Sequence, residues 1–170
     1  MPRIISFAWT SPAFCNRQKF VTRRHWKPDY AATFKSGDEL VVYDRSPRTR
    51  SALITPKEIG LIKLAENPYP SYTRIHNSRV EYEAEGFGFY DKYPSLIPST
   101  WQEKFLTYGV KNFEEYWNLA FDCHELPEAL QYRDYGIIPQ EFNYVIRFSI
   151  VRIFPEAEEY LLHNLLKQAV

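Results

Sequence analysis

The chain contains very little cysteine. Its two cysteines, Cys15 and Cys123, lie 108 positions apart, and neither belongs to a Cys-x-x-Cys pair. This count excludes a disulfide framework, and the four histidines show no spacing typical of a zinc site. We therefore predict reduced thiols in a cytoplasmic protein that holds no metal ion and no other cofactor.

Long apolar runs are also missing. None approaches the roughly 18 residues that a membrane-spanning helix requires. The N-terminal residues, MPRII, do not open the apolar stretch of a secretory signal. The sequence therefore predicts no contact with a membrane.

The chain carries no net charge, since 21 Lys and Arg balance 21 Asp and Glu. A neutral total argues against a protein that coats nucleic acid through bulk charge. The charge is nevertheless uneven: residues 1–50 carry ten basic against four acidic side chains, and residues 51–170 carry eleven against seventeen. The basic first third predicts a local positive surface.

Aromatic residues are abundant, at 17% of the chain, and apolar residues reach 45%. This composition excludes intrinsic disorder, and most of the rings are expected to fill a core. A chain of 170 residues is long enough for a sizeable core. We predict one domain over residues 1–170.

The order of the elements predicts the fold class. Runs rich in β-branched and aromatic residues predict strands near residues 4–9, 39–44, 59–65 and 144–154. Helix signals are a capping-box pattern at Thr100, an N-cap at Asn112, and Pro155 opening a C-terminal helix over residues 155–170. Early strands, central helices and one late strand indicate an α+β domain in which the late strand returns to the early sheet.

Residues 17–26, RQKFVTRRHW, hold the densest group of chemically active side chains. Lys19, Thr22 and Arg24 follow one another there at spacings of three and two. A group of cations is typical of an anion site, and phosphate is the anion it would most commonly meet. A desolvated lysine can also act as a base toward a hydroxyl. The plainer interpretation is a solvated charged edge with no specific role.

An aromatic ring beside such a cluster can stack on a base, as it does in proteins that bind single strands. The predicted nucleic-acid-binding residues are the cations of the cluster, its tryptophan and one cation from the following basic turn: Arg17, Lys19, Arg23, Arg24, Trp26 and Arg45.

Four segments resemble, in the same order, the ASCH domains of the PUA-like fold. Residues 19–24, KFVTRR, resemble the family signature G-x-K-x-x-T-x-R, whose glycine corresponds to Arg17. Residues 34–42, FKSGDELVV, resemble the family's entry into a strand. Residues 84–87, AEGF, resemble a segment of its helical part, and residues 144–148, YVIRF, resemble its closing strand.

The resemblance implies a PUA-like, β-barrel-like sheet with flanking helices, a helical insertion over about residues 89–142, and a cleft above the Lys19 segment. It also implies binding of single-stranded RNA, a nucleotide or a modified nucleoside. Some members of the family are amidohydrolases that act on acylated cytidine, and some are reported as ribonucleases. The Lys, Thr and Glu of the amidohydrolases correspond to Lys19, Thr22 and Glu85, which become the candidate catalytic residues.

Three functions stay open on the sequence alone. The chain is a binding module, or a hydrolase, or an interaction module whose helical insertion binds a protein. In the hydrolase, Lys19 deprotonates Thr22, Thr22 attacks an amide carbonyl, and Glu85 carries the proton, so the three side chains must converge within hydrogen-bond reach. The interaction module requires a large exposed apolar patch within residues 89–142.

Overall fold

The computed structural model describes residues 3–48, 54–70, 79–121 and 143–168. The strands in this part of the chain are β1 (Arg3–Ser6), β2 (Val21–His25), β3 (Glu39–Tyr43), β4 (Glu58–Leu64), β5 (Tyr69–Pro70) and β6 (Asn143–Ile153). The α-helices are α1 (Ser11–Cys15), α2 (Pro28–Ala31), α3 (Arg79–Ala84), α4 (Phe87–Lys92), α5 (Ser99–Tyr108), α6 (Phe113–Phe121) and α7 (Leu162–Gln168). The 3-10 helices in the described ranges are Ala8–Thr10, Pro94–Leu96 and Pro155–Tyr160.

The strands form one sheet in the order β1-β3-β4-β6-β2, and β5 pairs with β6. The β1–β3 pair is parallel and the other pairs are antiparallel. The sheet is strongly curled into a half-barrel with helices beside it, which confirms the predicted α+β class. Irregular register near Tyr43 and Ile62 marks bulges, and bulges increase local twist. The late strand β6 returns between β4 and β2, as the order of elements predicts.

One face of the sheet is covered by buried apolar residues at alternating strand positions. On β3, Leu40 and Val42 are buried while their neighbours are partly or fully exposed, as expected for a strand with one face toward a core. Phe14 of α1 packs into the same cluster. Gly60 of β4 admits it, because a Cβ there would lie 2.8 Å from the Phe14 ring and 2.7 Å from the Arg152 carbonyl oxygen.

A second core belongs to the helices and consists mainly of aromatic rings. Trp9 stands at its centre, with ring centroids 5.0 Å from Phe113, 4.7 Å from Trp101 and 5.7 Å from Phe87. Aromatic pairs at such distances add to the stabilisation from area burial. Many of the abundant aromatic residues therefore form a helical layer around Trp9, three residues after the end of β1.

The first strand is shorter than predicted. It ends at Ser6, and the expected extension to Trp9 is wrong. Ala8 has a φ of 47°, which turns the chain out of the extended conformation and into the 3-10 helix Ala8–Thr10. This turn carries Trp9 away from the sheet and into the helical core.

The predicted helix starts are confirmed in part. The Asn112 side chain accepts a hydrogen bond from the Glu115 N–H at 2.9 Å, as an N-cap does. Thr100 caps nothing, because α5 already begins at Ser99, after Pro98. The predicted continuous helix from Pro155 is instead a 3-10 helix followed by α7, since Leu161 adopts an extended conformation between them.

The central stretch is helical as far as the structure describes it. Helices α4, α5 and α6 cover most of residues 87–121, and the remainder of the predicted insertion, residues 122–142, lies outside the described residues. Among the described helices, none combines the length and the apolar character needed to cross a bilayer.

We expect Gly60→Ala to lower the free energy of unfolding by about 1–3 kcal/mol, because the added Cβ meets a backbone oxygen and a packed ring that cannot withdraw. Urea unfolding measures the change. Gly109→Asn is the control: Gly109 has a φ of 67°, which Asn tolerates, and no atom lies within 4 Å of the added Cβ. Equal destabilisation by both substitutions would contradict this account of the core.

Candidate functional site

Strand β2 carries the sequence cluster and directs it to two sides of the sheet. Because side chains alternate along a strand, Val21 and Arg23 share one face, and Thr22 and Arg24 share the other. Val21 packs against β5 and β6, and Arg23 reaches toward α3. Arg24 lies over the Phe7 ring, 5.9 Å from its centroid. Adjacent basic residues of the cluster therefore have different surroundings.

On the Arg23 side, positive and negative side chains alternate in a buried network. The Lys19 amine donates to the Glu85 backbone oxygen at 2.6 Å and to Glu85 Oε2 at 3.1 Å. Arg23 donates to Glu85 Oε1 at 2.5 Å and to Glu81 Oε2 at 2.9 Å. Arg147 of β6 donates to Glu81 Oε1 at 2.5 Å. We call Lys19, Glu85, Arg23, Glu81 and Arg147 the buried charge network.

Burial sets the protonation of the network. The Lys19 side chain is 2% exposed, and desolvation lowers its pKa to about 8, although Glu85 opposes this shift. The nearby Arg24 and Arg23 charges lower the pKa of Lys19 further. Burial alone would raise the pKa of Glu81, but hydrogen bonds from Arg147 and Arg23 outweigh it, and the pKa is lowered.

A glycine holds the acidic part of the network in place. Gly86 follows Glu85 with a φ of 96°, which favours glycine, and ends α3 just before α4 begins. A Cβ at this position would lie 2.8 Å from Ala13 Cβ and 3.4 Å from Lys19 Cβ. The close approach made by this glycine therefore brings Glu85 to the Lys19 amine.

Arg24 has a different environment. Its guanidinium donates to the Ser6 carbonyl oxygen of β1 and, at 3.3 Å, to the Arg23 carbonyl oxygen of β2. Within the described residues, no carboxylate forms an ion pair with it. Burial lowers its pKa, and the charge of Glu85 opposes that shift. Arg24 is therefore a partly buried cation that two carbonyl groups, and no described anion, coordinate.

A cavity of about 500 Å³ opens beside Arg24. Its lining combines cations, aromatic rings and a hydroxyl: Arg24, Lys27, Arg48, Trp26, Tyr30 and Ser46. The Trp26 ring stacks on Phe34 at 4.6 Å and meets the Tyr30 ring edge-on at 5.1 Å. Arg3 lies 4.4 Å from the Phe34 ring centroid. These contacts fix the orientation of Trp26 at the cavity wall.

The structure separates the predicted site residues into two groups. Lys19 and Glu85 bond to each other, and Thr22 is 2% exposed on the adjacent strand. Within the described residues, no hydrogen bond joins the Thr22 hydroxyl to Lys19 or Glu85. None of these three residues is among those described as lining the cavity. Their catalytic role stays a prediction.

The remaining predicted binding residues also have different positions. Arg24 and Trp26 line the cavity, whereas Arg23 is held in the buried charge network. Arg17 is exposed and has a φ of 57°, so it takes the left-handed conformation that the glycine of the resembled signature would adopt easily. Arg45 pairs with Asp44 at 3.3 Å and does not belong to the described cavity lining.

Sequence reasoning missed residues on both sides of β2. Glu81 and Arg147 belong to the buried charge network but come from distant segments with no shared motif. Lys27 and Tyr30 line the cavity. One signal could have found Tyr30: Trp26, Tyr30 and Phe34 recur every four residues, a spacing that places rings on one side of a helical turn.

Comparisons with known proteins do not show a family. No family model matches the chain, and no curated protein matches it. Among solved structures, the chain is similar to the crystal structure of protein EF3133 from Enterococcus faecalis V583, described under the family model DUF984. The two are 17% identical, the match covers 91% of this chain and 83% of that chain, and the TM-score is 0.40. This similarity is too low to transfer any property.

The lowered pKa of Lys19 leads to a prediction of how the stability of the protein depends on pH. The pKa is about 8 in the folded protein and roughly 10.4 in an unfolded chain, so between these values the unfolded chain binds more protons. The penalty for burying the charged amine is therefore present below pH 8 and is relieved as the pH rises. As the pH rises from about 7.5 to 9.5, the free energy of unfolding of the wild type should increase by about 2 kcal/mol relative to that of Lys19→Met.

Urea unfolding of both proteins at the two pH values measures this difference, and the titration of tyrosines cancels because it is common to both. An NMR titration of the Lys19 ε-carbon in the wild type gives an independent midpoint. Identical pH dependence in the two proteins, or a midpoint near 10.4, would contradict the assignment.

Proposed function

We propose that this protein binds single-stranded RNA or a nucleotide in the cavity beside Arg24, as an ASCH-type domain of the PUA-like fold. The half-barrel sheet is compatible with that fold. The single observation that carries the proposal is Arg24, a partly buried guanidinium without a described carboxylate partner, in a wall that also holds Trp26. A partly desolvated cation of this kind is stabilised by an anionic ligand, which replaces the lost hydration with charge-assisted hydrogen bonds.

The distribution of ion pairs supports this choice of site over the Lys19 side of the sheet. The cations of the buried charge network already bond to Glu81 and Glu85, so a phosphate there would compete with internal carboxylates. Among the described residues, no carboxylate pairs with Arg24, Lys27 or Arg48. The cavity is therefore the part of the basic region whose charges are available to a ligand.

The size and lining of the cavity also favour a nucleotide. About 500 Å³ lies within the range of small-molecule sites and matches one nucleotide better than a folded partner. Trp26 offers a ring for a base, and the three cations suit a phosphate. By contrast, Leu106 is the one large apolar side chain described as exposed between residues 89 and 121, which gives no support to a protein-binding patch there.

We expect Lys27→Glu combined with Arg48→Glu to weaken binding of a single-stranded RNA octamer by roughly tenfold or more, because two phosphate contacts become repulsive. Both side chains are exposed, so the fold should be retained. Lys92→Glu combined with Lys167→Glu is the matched control, with the same change in charge on the helical side of the molecule. Fluorescence anisotropy measures the affinities.

The affinity of the wild type should also fall as salt is added, since phosphate contacts release counterions. Equal weakening by the two double variants would indicate a general charge effect and would remove the cavity as the site. An affinity that does not change with salt would remove phosphate as the group recognised.

A second candidate function is hydrolysis of an acylated cytidine, or cleavage of RNA, by Lys19, Thr22 and Glu85. The observation that favours it is the lowered pKa of Lys19, which leaves part of the amine neutral and basic near pH 8. In this mechanism the Lys19 amine takes the Thr22 proton and Thr22 Oγ1 attacks the amide carbonyl. The proton passes from the Lys19 ammonium through Glu85 to the leaving nitrogen, which frees cytidine and leaves the acyl group on Thr22. Water then hydrolyses this ester, with the neutral Lys19 amine as base, and restores the Thr22 hydroxyl. The mechanism requires Lys19 to exchange a bond to Glu85 for one to Thr22.

If the second function is present, the wild type should release cytidine from N4-acetylcytidine. Thr22→Val should abolish the release, because it removes the nucleophile while keeping the branched shape in a buried position. Chromatographic detection of cytidine measures turnover, and Lys19→Ala tests the base. Absence of turnover, or turnover that survives Thr22→Val, would reject catalysis and leave binding as the function.

A further inference from the structure

The cavity lies where the two edges of the half-barrel face each other. Strands β1 and β2 stand at opposite ends of the sheet order, and the curl of the sheet brings them together. Ile4, Ile5 and Ser6 of β1 line the cavity, and so does Arg24 of β2. The bond from Arg24 to the Ser6 carbonyl oxygen spans the gap between the edges. We call this gap the seam.

The hydrogen bonds of β1 show which of its backbone groups face the seam. The Phe7 N–H donates to the Tyr43 carbonyl oxygen of β3 at 3.0 Å, and Tyr43 lies opposite Ser6 in the parallel register. Because successive residues of a strand direct their N–H and C=O groups to opposite sides, the groups of Ser6 and Ile4 point away from β3. The bond that the Ser6 carbonyl accepts from Arg24 agrees with this direction.

Two backbone groups at the seam therefore form an adjacent acceptor and donor, namely the Ile4 C=O and the Ser6 N–H. On the edge paired with β3, an equivalent acceptor and donor, the Ile5 C=O and the Phe7 N–H, face the Tyr43 backbone. Each nucleobase carries a donor next to an acceptor on its Watson–Crick edge. A base can therefore bond to the seam-facing edge of β1 in the way that the Tyr43 backbone bonds to the opposite edge. The Arg24 bond occupies the remaining carbonyl, that of Ser6.

We infer that β1 reads the Watson–Crick edge of one unpaired base through the Ile4 C=O and the Ser6 N–H, while the base stacks on Trp26. This inference rests on the proposed function and specifies its ligand: a single-stranded nucleic acid whose recognised base has a free Watson–Crick edge. A base within a duplex is excluded, because its partner occupies that edge. Methyl groups on that edge are excluded too, whereas methyl groups elsewhere on the ring are accepted.

The test compares three RNA octamers, made of uridine, 5-methyluridine or 3-methyluridine, by anisotropy at about 50 mM salt. The two methylated octamers have the same mass and charge, and only the 3-methyl group removes the donor of the Watson–Crick edge. The inference expects 5-methyluridine to bind like uridine and 3-methyluridine to bind roughly tenfold more weakly. Equal affinities for the two methylated octamers would overturn it and would leave the proposed function standing.

A protein variant tests the same contact from the other side. Ser6→Pro removes the seam-facing N–H while leaving the bonds of Ile5 and Phe7 to β3, and proline is tolerated at a free strand edge. Ser6→Ala is the control that keeps the N–H. Weaker uridine binding in Ser6→Pro than in Ser6→Ala supports the inference, and equal binding in two folded variants overturns it.

Should Ser6→Pro fail to fold, the comparison of methylated octamers decides by itself. Failure of the wild type to bind the uridine octamer would have a different meaning. It would overturn the proposed function, and the inference with it.

Discussion

The burial of Lys19 and Arg23 against Glu85 constrains the rest of the structure. A lysine that is 2% exposed is costly unless its amine is fully coordinated, and removing one partner of a buried pair typically costs about 3–5 kcal/mol. The network therefore fixes β2, α3 and β6 relative to one another, since each contributes a charge. The same network accounts for the glycine at position 86, because a Cβ there would crowd Ala13 and Lys19, where Glu85 approaches the Lys19 amine. Arg24 feels the charges of Lys19 and Glu85, but within the described residues it forms no ion pair with a carboxylate of the network.

Much of the fold was predictable because its strands carry local signals. β-branched residues and alternation marked β3, β4 and β6, and the late position of β6 predicted its return to the sheet. Local signals failed where tertiary contacts decide. Trp9 continues a strand-like run in the sequence. The positive φ of Ala8 nevertheless ends the extended conformation, and Trp9 packs in the aromatic helical core instead of the sheet. Thr100 has a capping pattern that Pro98, placed two residues earlier, makes unnecessary.

The candidate site was only partly predictable for a related reason. Proximity in sequence placed Lys19, Thr22, Arg23 and Arg24 in one cluster, but strand alternation sends neighbouring residues to opposite faces. Without the strand boundaries and register, the sequence does not show which residues of the cluster share a face of β2. The resemblance to ASCH segments predicted that Glu85 belongs with Lys19, and the structure brings the two into contact at 3.1 Å. Glu81, Arg147 and the seam-facing backbone of β1 had no local signal, because pairing across the sheet defines them.

The position of β6 has a consequence for the order in which the protein folds. In the described residues, β2 is paired along its length with β6, although about 120 residues separate the two strands in the chain. Contacts so far apart in sequence form slowly, because loop closure precedes any gain in stability. During synthesis, β1, β3 and β4 can pair early, whereas β2 waits for β6 to emerge from the ribosome. Its charged segment therefore stays unpaired longer than any other strand of the described sheet.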